Sequence, residues 1–306
     1  MVPLERLSSP AYRQLPLRVL EARVRSLYEL ASPCRLCPRA CGVRRDRGEL
    51  GLCRAGLRPW VASFGPHFGE ERELVGQGGS GTIFFSGCNL GCVFCQNAEI
   101  SQLGEGEEIT VDQLARMMVN LQDSACPNIN VVTPTHQAPM IVEAVMHARE
   151  EGLAVPLVWN CGGYESMEAL RLLEGVVDIY MPDLKFVDPK VSDRLAGAPD
   201  YFQRAKEALK EMHRQVGDLQ VQGGLAVRGL LIRHLVLPEG LAGTGEALRF
   251  VAEEIGRNTY VNLMAQYYPA HRARSLPELR RRITPEEYQE ALALARNLGL
   301  TRAGPR

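Results

Sequence analysis

Lysine is almost missing from this chain. Among 35 basic residues only positions 185, 190, 206 and 210 are lysine, and the rest are arginine. Such a bias fits a GC-rich genome, and it makes each lysine a rare choice. Long apolar runs are missing too. Nothing approaches the roughly 20 residues that would span a bilayer, so no membrane partner is expected. The opening MVPLERLSSPAYRQLPLRVLEARVRSLYEL is broken by arginines and prolines and lacks the apolar centre of a signal peptide. An excess of either charge is also absent: the net charge is −1, which gives no polyanion-binding surface and no strong nucleic-acid signal. No internal repeat, low-complexity tract or long linker is found. These absences describe a cytoplasmic globular chain of 306 residues, long enough for one large domain or a barrel with appendages. In a reducing compartment its nine cysteines read as thiols or ligands rather than disulfides.

Short apolar runs recur. They lie at 82–86, 128–133, 156–161, 177–182, 231–237 and 260–266, separated by helical patterns such as 111–122, 138–151, 165–174 and 200–215. Strands alternating with helices imply a parallel sheet, and continuous apolar runs imply burial on both faces. Six such units suit an α/β fold of the partial (β/α)6, TIM-like barrel kind better than a closed eight-unit barrel. An amphipathic helix is expected over 15–31, and Thr284-Pro285-Glu286-Glu287 opens a last helix with a capping box. The stretch GPHFGEERE at 65–73 reads as a solvated loop, with His67, Glu70 and Glu71 close enough to the first strand to face a site. RRDR at 44–47 and 272–282 read as solvated faces.

The chemistry concentrates in SGCNLGCVFCQN, where Cys88, Cys92 and Cys95 follow the first strand at the end where barrel enzymes keep their active sites. Chance spacing of buried thiols is the bland alternative. A structural zinc wants four protein ligands, whereas three thiolates on a four-iron cluster leave one iron open to a small molecule. In IYMPDLK, alternation puts Met181, Asp183 and Lys185 on one face at the end of the fourth strand, as a surface ion pair or a ligand contact.

The C-x3-C-x2-C motif, with Phe94 before its last cysteine, resembles the radical S-adenosylmethionine (radical SAM) superfamily. The resemblance implies a [4Fe-4S] cluster on Cys88, Cys92 and Cys95 whose open iron chelates S-adenosylmethionine. It further implies reductive cleavage to a 5′-deoxyadenosyl radical that abstracts hydrogen, with Phe94 packed near the adenine. Within the superfamily, D-L-K and RHLVLP look like the pyruvate formate-lyase-activating enzymes. That likeness nominates Asp183, Lys185 and His234 as contacts of S-adenosylmethionine. It adds a monovalent-cation site built from Asn160, Cys161 and the Met181 carbonyl, with Asn160 where those enzymes have an acidic residue. The Gly-Gly-Glu segment usual after the second strand is replaced by VVTPTHQAP. Thr133, Thr135 and His136 supply the polar atoms there, and His136 reads equally well as a structural histidine. Gln266 and Tyr268 are further pocket residues, while Cys126 and Cys161 read as ordinary buried thiols.

Upstream, Cys34-x2-Cys37-x3-Cys41-x11-Cys53 places four thiols in twenty residues. Zinc, an auxiliary iron–sulfur cluster and four unliganded thiols all stay open. Together with GSGTIFFSGCNLGCVFCQN, this arrangement is similar to a pyruvate formate-lyase-activating-enzyme-like branch of the superfamily, over about Cys34 to Tyr288. The expected organisation is an N-terminal helix and Cys-rich extension over 1–66, the radical SAM partial barrel over 67–283 and a C-terminal helix over 284–306. The implied partners are an electron donor such as flavodoxin or ferredoxin and a glycyl radical enzyme as protein substrate. A small molecule, nucleoside or peptide substrate is the first alternative. An iron–sulfur electron-transfer or scaffold protein is the alternative of a different class.

Overall fold

The six short apolar runs become six parallel strands in the order expected. The computed structural model describes residues 9–304; residues 1–8 and 305–306, the outer ends of the expected first and last segments, lie outside the described residues. A short helix α1 (Ala11–Gln14) and the amphipathic α2 (Leu17–Ala31) precede an irregular cysteine-rich segment, β1 (Trp60–His67) and the one-turn α3 (Arg72–Val75). The chain continues through β2 (Ser80–Phe85), the two-residue β3 (Glu107–Glu108), α4 (Val111–Asp123), β4 (Ile129–Val132), α5 (Ala138–Glu150), β5 (Leu157–Cys161), α6 (Met167–Leu172) and β6 (Ile179–Pro182). It ends with α7 (Pro189–Ala196), α8 (Tyr201–Val216), β7 (Gln220–Gln222), β8 (Leu225–Leu235), α9 (Thr244–Phe250), β9 (Tyr260–Met264), α10 (Pro285–Asn297) and β10 (Ala303–Gly304). The sheet order is β10-β9-β8-β6-β5-β4-β2-β1-β3, an open α/β sheet of the partial-barrel kind. The strands from β2 to β10 along this order are parallel; β1 runs antiparallel to β2.

Alternation along the strands sorts their side chains onto two faces. Trp159, Tyr180, Ile232 and Val261 join the large core under the helices. Val158, Ile179, Met181, Leu231 and Tyr260 form a second apolar cluster closed by Leu74 of α3. The second cluster lines the concave face. One step further along the same face the residues turn polar: Asn130 on β4, Asn160 on β5, Asp183 after β6, Arg233 on β8 and Asn262 on β9. The helices close the outer face for ordinary reasons. In α2, Leu20, Val24, Leu27 and Leu30 are buried at helical spacing. Thr110 caps α4 and Thr284 caps α10, each by a capping box with the residue three positions on.

One expectation is overturned here. Residues 65–67 of the supposed solvated loop belong to β1, which pairs with β2 from His67↔Ser80 to Val61↔Phe85. The acidic run beyond it turns inward, where Glu71 accepts from Asn262 Nδ2 (2.7 Å) and Glu73 from the Tyr260 hydroxyl (2.7 Å). Pro66 and Gly65 disguised the strand, since both normally end one; a strand with little pairing on its far side tolerates them.

The loops at the carboxyl ends of the strands are tied together by buried polar contacts. The Tyr201 hydroxyl accepts from the Lys185 amide (2.9 Å) and donates to the carbonyls of Asp183 (2.7 Å) and Gly162 (2.9 Å). Gly163 has φ +74°, and a Cβ there would lie 2.5 Å from the Asp183 carbonyl oxygen. His136 Nε2 donates to the Ser86 carbonyl (2.7 Å) at the root of the three-cysteine loop. Thr135 donates its hydroxyl proton to Glu165 (2.5 Å), bridging the loops after β4 and β5.

Glu165 is buried, and burial raises its carboxyl to about 7 against the opposing hydrogen bond from Thr135. A carboxyl raised from 4.5 to about 7 on folding contributes stability that is fully present below about 4.5 and lost as the pH rises through about 7. The loss is on the order of 3 kcal/mol. Thermal unfolding at pH 5 and pH 8 should therefore show the wild type losing stability relative to E165Q at the higher pH. Parallel pH profiles for the two proteins would show that Glu165 ionises normally.

Candidate functional site

Cys88, Cys92 and Cys95 lie on the loop that leaves β2 over the carboxyl ends of the parallel strands. The loop is pinned at nearly every turn. Gly91 and Val93 amides donate to the Ala196 (3.1 Å) and Leu195 (2.8 Å) carbonyls, and Gln102 Nε2 donates to the Cys92 carbonyl (2.8 Å). Asn89 donates to the Tyr164 carbonyl (2.7 Å), and Leu90 packs where a Cβ on Gly162 would stand, 2.9 Å away. Local polar hydrogens reach the sulfurs: the Leu90 amide donates to Cys88 Sγ (3.3 Å), and Ser101 Oγ lies 3.2 Å from Cys95 Sγ.

The Lys185 ammonium acts on the same thiols. Burial pushes Cys88 up, and so do its neighbours Cys92 and Cys95, while Lys185 pulls it down. Cys92 is raised to about 11 by burial, with Lys185 again opposing. Three mutually interacting thiols with a cation beside them and no fourth cysteine in the loop form the donor set of a cluster with one open iron. Among the described residues no three or more His, Cys, Asp or Glu side chains stand in the arrangement that holds a single metal ion. Tetrahedral Zn–S bonds of about 2.3 Å would bring sulfurs to about 3.8 Å from one another. A cluster places each thiolate on a different iron and accepts wider spacing, so the residues present fit it.

Beside the loop, Asp183 sits between two cations. Its Oδ2 accepts from Lys185 Nζ (2.5 Å) and its Oδ1 from Arg233 Nε (2.8 Å). Arg233 reaches on to Asn160 Oδ1 (2.6 Å) and Glu70 Oε2 (3.4 Å). Burial alone would raise the Asp183 carboxyl; Arg233 and Lys185 outweigh it, and the net shift is downward. Burial and Arg233 would lower Lys185, but the Asp183 carboxylate outweighs them and holds it above its ordinary value, so the ammonium stays protonated. Asn130 lies near Glu70 on this face, yet neither of its buried amide atoms reaches hydrogen-bond geometry. A ligand with a carboxylate, an amine and ribose hydroxyls fits such a layer, which offers two cations, two carboxylates and an unsatisfied amide. Met181 closes the apolar floor beneath it.

Other expected site residues fall differently. His234 follows Arg233 on the strand and therefore points to the outer face. Its Nδ1 donates to the Leu184 carbonyl (2.7 Å) and its Nε2 accepts from Thr244 Oγ1 (3.0 Å). Burial lowers its pKa to about 4, so it is a neutral brace for the Asp183–Lys185 turn, and Arg233 is the residue facing Asp183. His136, also lowered to about 4 by burial, and Thr135 are engaged as ties with Ser86 and Glu165. Thr133, at φ +59°, has the left-handed conformation that glycine favours. At the expected cation position, the Arg233 guanidinium bridges Asn160 and Asp183, while the Cys161 carbonyl accepts the Asp183 amide (2.9 Å). Phe94 is buried edge-on to Phe186 (5.9 Å) and Tyr267 (6.0 Å).

Sequence reasoning missed Arg233, Asn130 and Tyr201. No local signal marked them, because the apolar residues on both sides of RGLLIRHLVL leave open which residue of that strand faces Asp183.

Comparison with known proteins agrees with this architecture. The family profile of the radical SAM superfamily matches residues 82–235. An uncharacterized protein of Methanocaldococcus jannaschii is 33% identical over 292 residues, covering 92% of this chain and 80% of that one. A pyruvate formate-lyase-activating enzyme of Clostridium pasteurianum is 23% identical over 195 residues, covering 62% of this chain and 75% of that enzyme. The crystal structure of HydG, a maturase of the [FeFe]-hydrogenase, superposes with a TM-score of 0.50 at 11% identity, covering 73% of this chain and 50% of that one. The fold is therefore shared with a chain of which this one spans half. The profile, which spans half of the chain, decides the family: this chain belongs to the radical SAM superfamily.

Proposed function

We propose that Cys88, Cys92 and Cys95 bind a [4Fe-4S] cluster and that the concave polar layer beside them binds S-adenosylmethionine for reductive cleavage. The observation that carries this reading is the Lys185–Asp183–Arg233 group lying against a loop of three cysteines, Cys92 buried and Cys88 and Cys95 half-buried. When bound, the cluster supplies a low-potential electron and an open iron for the amino acid end of S-adenosylmethionine.

The chain's own residues orient and insulate. Lys185, fixed as an ammonium, offers a charge-assisted donor to a carboxylate, and Asp183 and Asn160 offer acceptors to hydroxyls or an ammonium. Arg233 keeps Asp183 ionised and immobile. Tyr201 and His234 hold the backbone from the Asp183 carbonyl to Lys185, and the Cys161 carbonyl holds the Asp183 amide, so the carboxylate needs little reorganisation when ligand arrives. Phe94, Phe186 and Tyr267 exclude water beside the cysteine loop and offer an apolar wall to an adenine.

The finer reading is a glycyl-radical-enzyme activase that abstracts hydrogen from a glycyl residue of a partner protein, with a flavodoxin or ferredoxin as reductant. Two observations support it: the similarity to pyruvate formate-lyase-activating enzymes, and an open sheet with β3 and β10 as separate edges, which suits a protein segment better than an enclosed cavity does.

Anaerobic reconstitution and reduction should yield 5′-deoxyadenosine from S-adenosylmethionine, and C95A should yield none. An intact cluster that makes no product would contradict the enzyme reading, and an active C95A would contradict the cluster ligands. R233M, checked for folding by circular dichroism, should lower product formation tenfold or more, an effect of about 1.4 kcal/mol. Wild-type rates in R233M would remove Arg233 from the site. A glycyl-radical signal in a co-incubated partner would establish the activase reading; its absence alongside 5′-deoxyadenosine would overturn only that part.

A further inference from the structure

The four upstream cysteines lie outside the site described above, yet they pack against its root. Cys53 is the closest link: a Cβ on Gly87, the residue before Cys88, would lie 2.2 Å from the Cys53 carbonyl oxygen. Arg39, inside the upstream motif, donates from Nε to the Asn89 carbonyl (2.5 Å).

Arg45 stands at the centre of this segment and corrects the reading of RRDR as a wholly solvated face. It is 4% exposed. Its Nη2 donates to Cys34 Sγ (3.3 Å) and Cys53 Sγ (3.6 Å), and its Nη1 to the carbonyls of His136 (2.8 Å) and Gly56 (3.4 Å). Its Nε has no partner, and among the described residues no carboxylate forms an ion pair with it. A buried guanidinium without an anion costs several kcal/mol. The groups it faces are thiols, so the missing negative charge must come from sulfur.

The backbone is arranged to gather those sulfurs. The Gly42 amide donates to the Cys34 carbonyl (3.1 Å) and the Cys34 amide to the Val43 carbonyl (3.0 Å), folding Cys41 back beside Cys34. Cys41 Sγ occupies the space beside Gly51, 2.9 Å from where a Cβ would be. Burial raises the Cys34 and Cys37 thiols, and the Leu36 and Arg39 amides near their sulfurs oppose it. The four sulfurs lie within electrostatic reach of one another, Cys34 of Cys41 and Cys37 of both Cys34 and Cys53, while among the described residues they do not close around a single ion.

We propose that Cys34, Cys37, Cys41 and Cys53 bind a second iron–sulfur cluster, with Arg45 as its buried counter-ion. Four thiolates close every corner, so this centre has no position open to a substrate, unlike the one beside it. The assignment does not depend on cleavage of S-adenosylmethionine.

The test is anaerobic reconstitution of the full chain with iron and sulfide. C88A/C92A/C95A removes the first site and should retain about four iron and four acid-labile sulfide per chain. No retained iron and sulfide in a folded protein, or one zinc per chain instead, would overturn the proposal. In that same background R45M should shift the midpoint potential of the remaining cluster downward, as loss of a nearby positive charge requires. An unchanged potential would remove Arg45 as counter-ion.

Discussion

Asp183 is buried between two cations, and the candidate site is organised around that fact. A carboxylate largely withdrawn from water next to Lys185 and Arg233 is held ionised; either cation alone would still balance its charge, and the two together fix both of its oxygens in place. Three strands are brought into one register by this group, because Asp183 follows β6, Arg233 comes from β8 and Asn160, which Arg233 also grips, comes from β5. The backbone around it is fixed independently by Tyr201 and His234. The layer is therefore rigid before any ligand arrives, and its donors face the loop of three cysteines.

The barrel was legible because its strands are buried on both faces. Continuous apolar runs such as PLVWNC and VDIYMP stand out between helical stretches, and each of the six became a parallel strand. Burial on both faces also hid the phase. Apolar residues occupy both sides of RGLLIRHLVL, so the pattern gave no means of telling which of Arg233 and His234 faces inward. A one-residue slip exchanges them. The three-dimensional contact with Asp183 decides for Arg233, and His234 becomes a brace on the other side of the strand.

The antiparallel β1 and the inward turn of Glu71 and Glu73 were hidden for a different reason. Their polar character is compensated by Tyr260 and Asn262, nearly two hundred residues away, and no local pattern encodes such a pairing. The cysteine motifs were legible at once from spacing alone. What spacing could not reveal is that the two groups abut through Gly87 and Cys53, or that a buried arginine faces the upstream sulfurs.

The central claim is that the concave polar layer and the three-cysteine loop form one site for S-adenosylmethionine. The most direct measurement is electron paramagnetic resonance of the reduced, reconstituted protein with and without S-adenosylmethionine, in the wild type and in D183N. The account predicts that the ligand changes the cluster signal of the wild type and leaves that of D183N nearly unchanged. A wild-type signal indifferent to S-adenosylmethionine would contradict it.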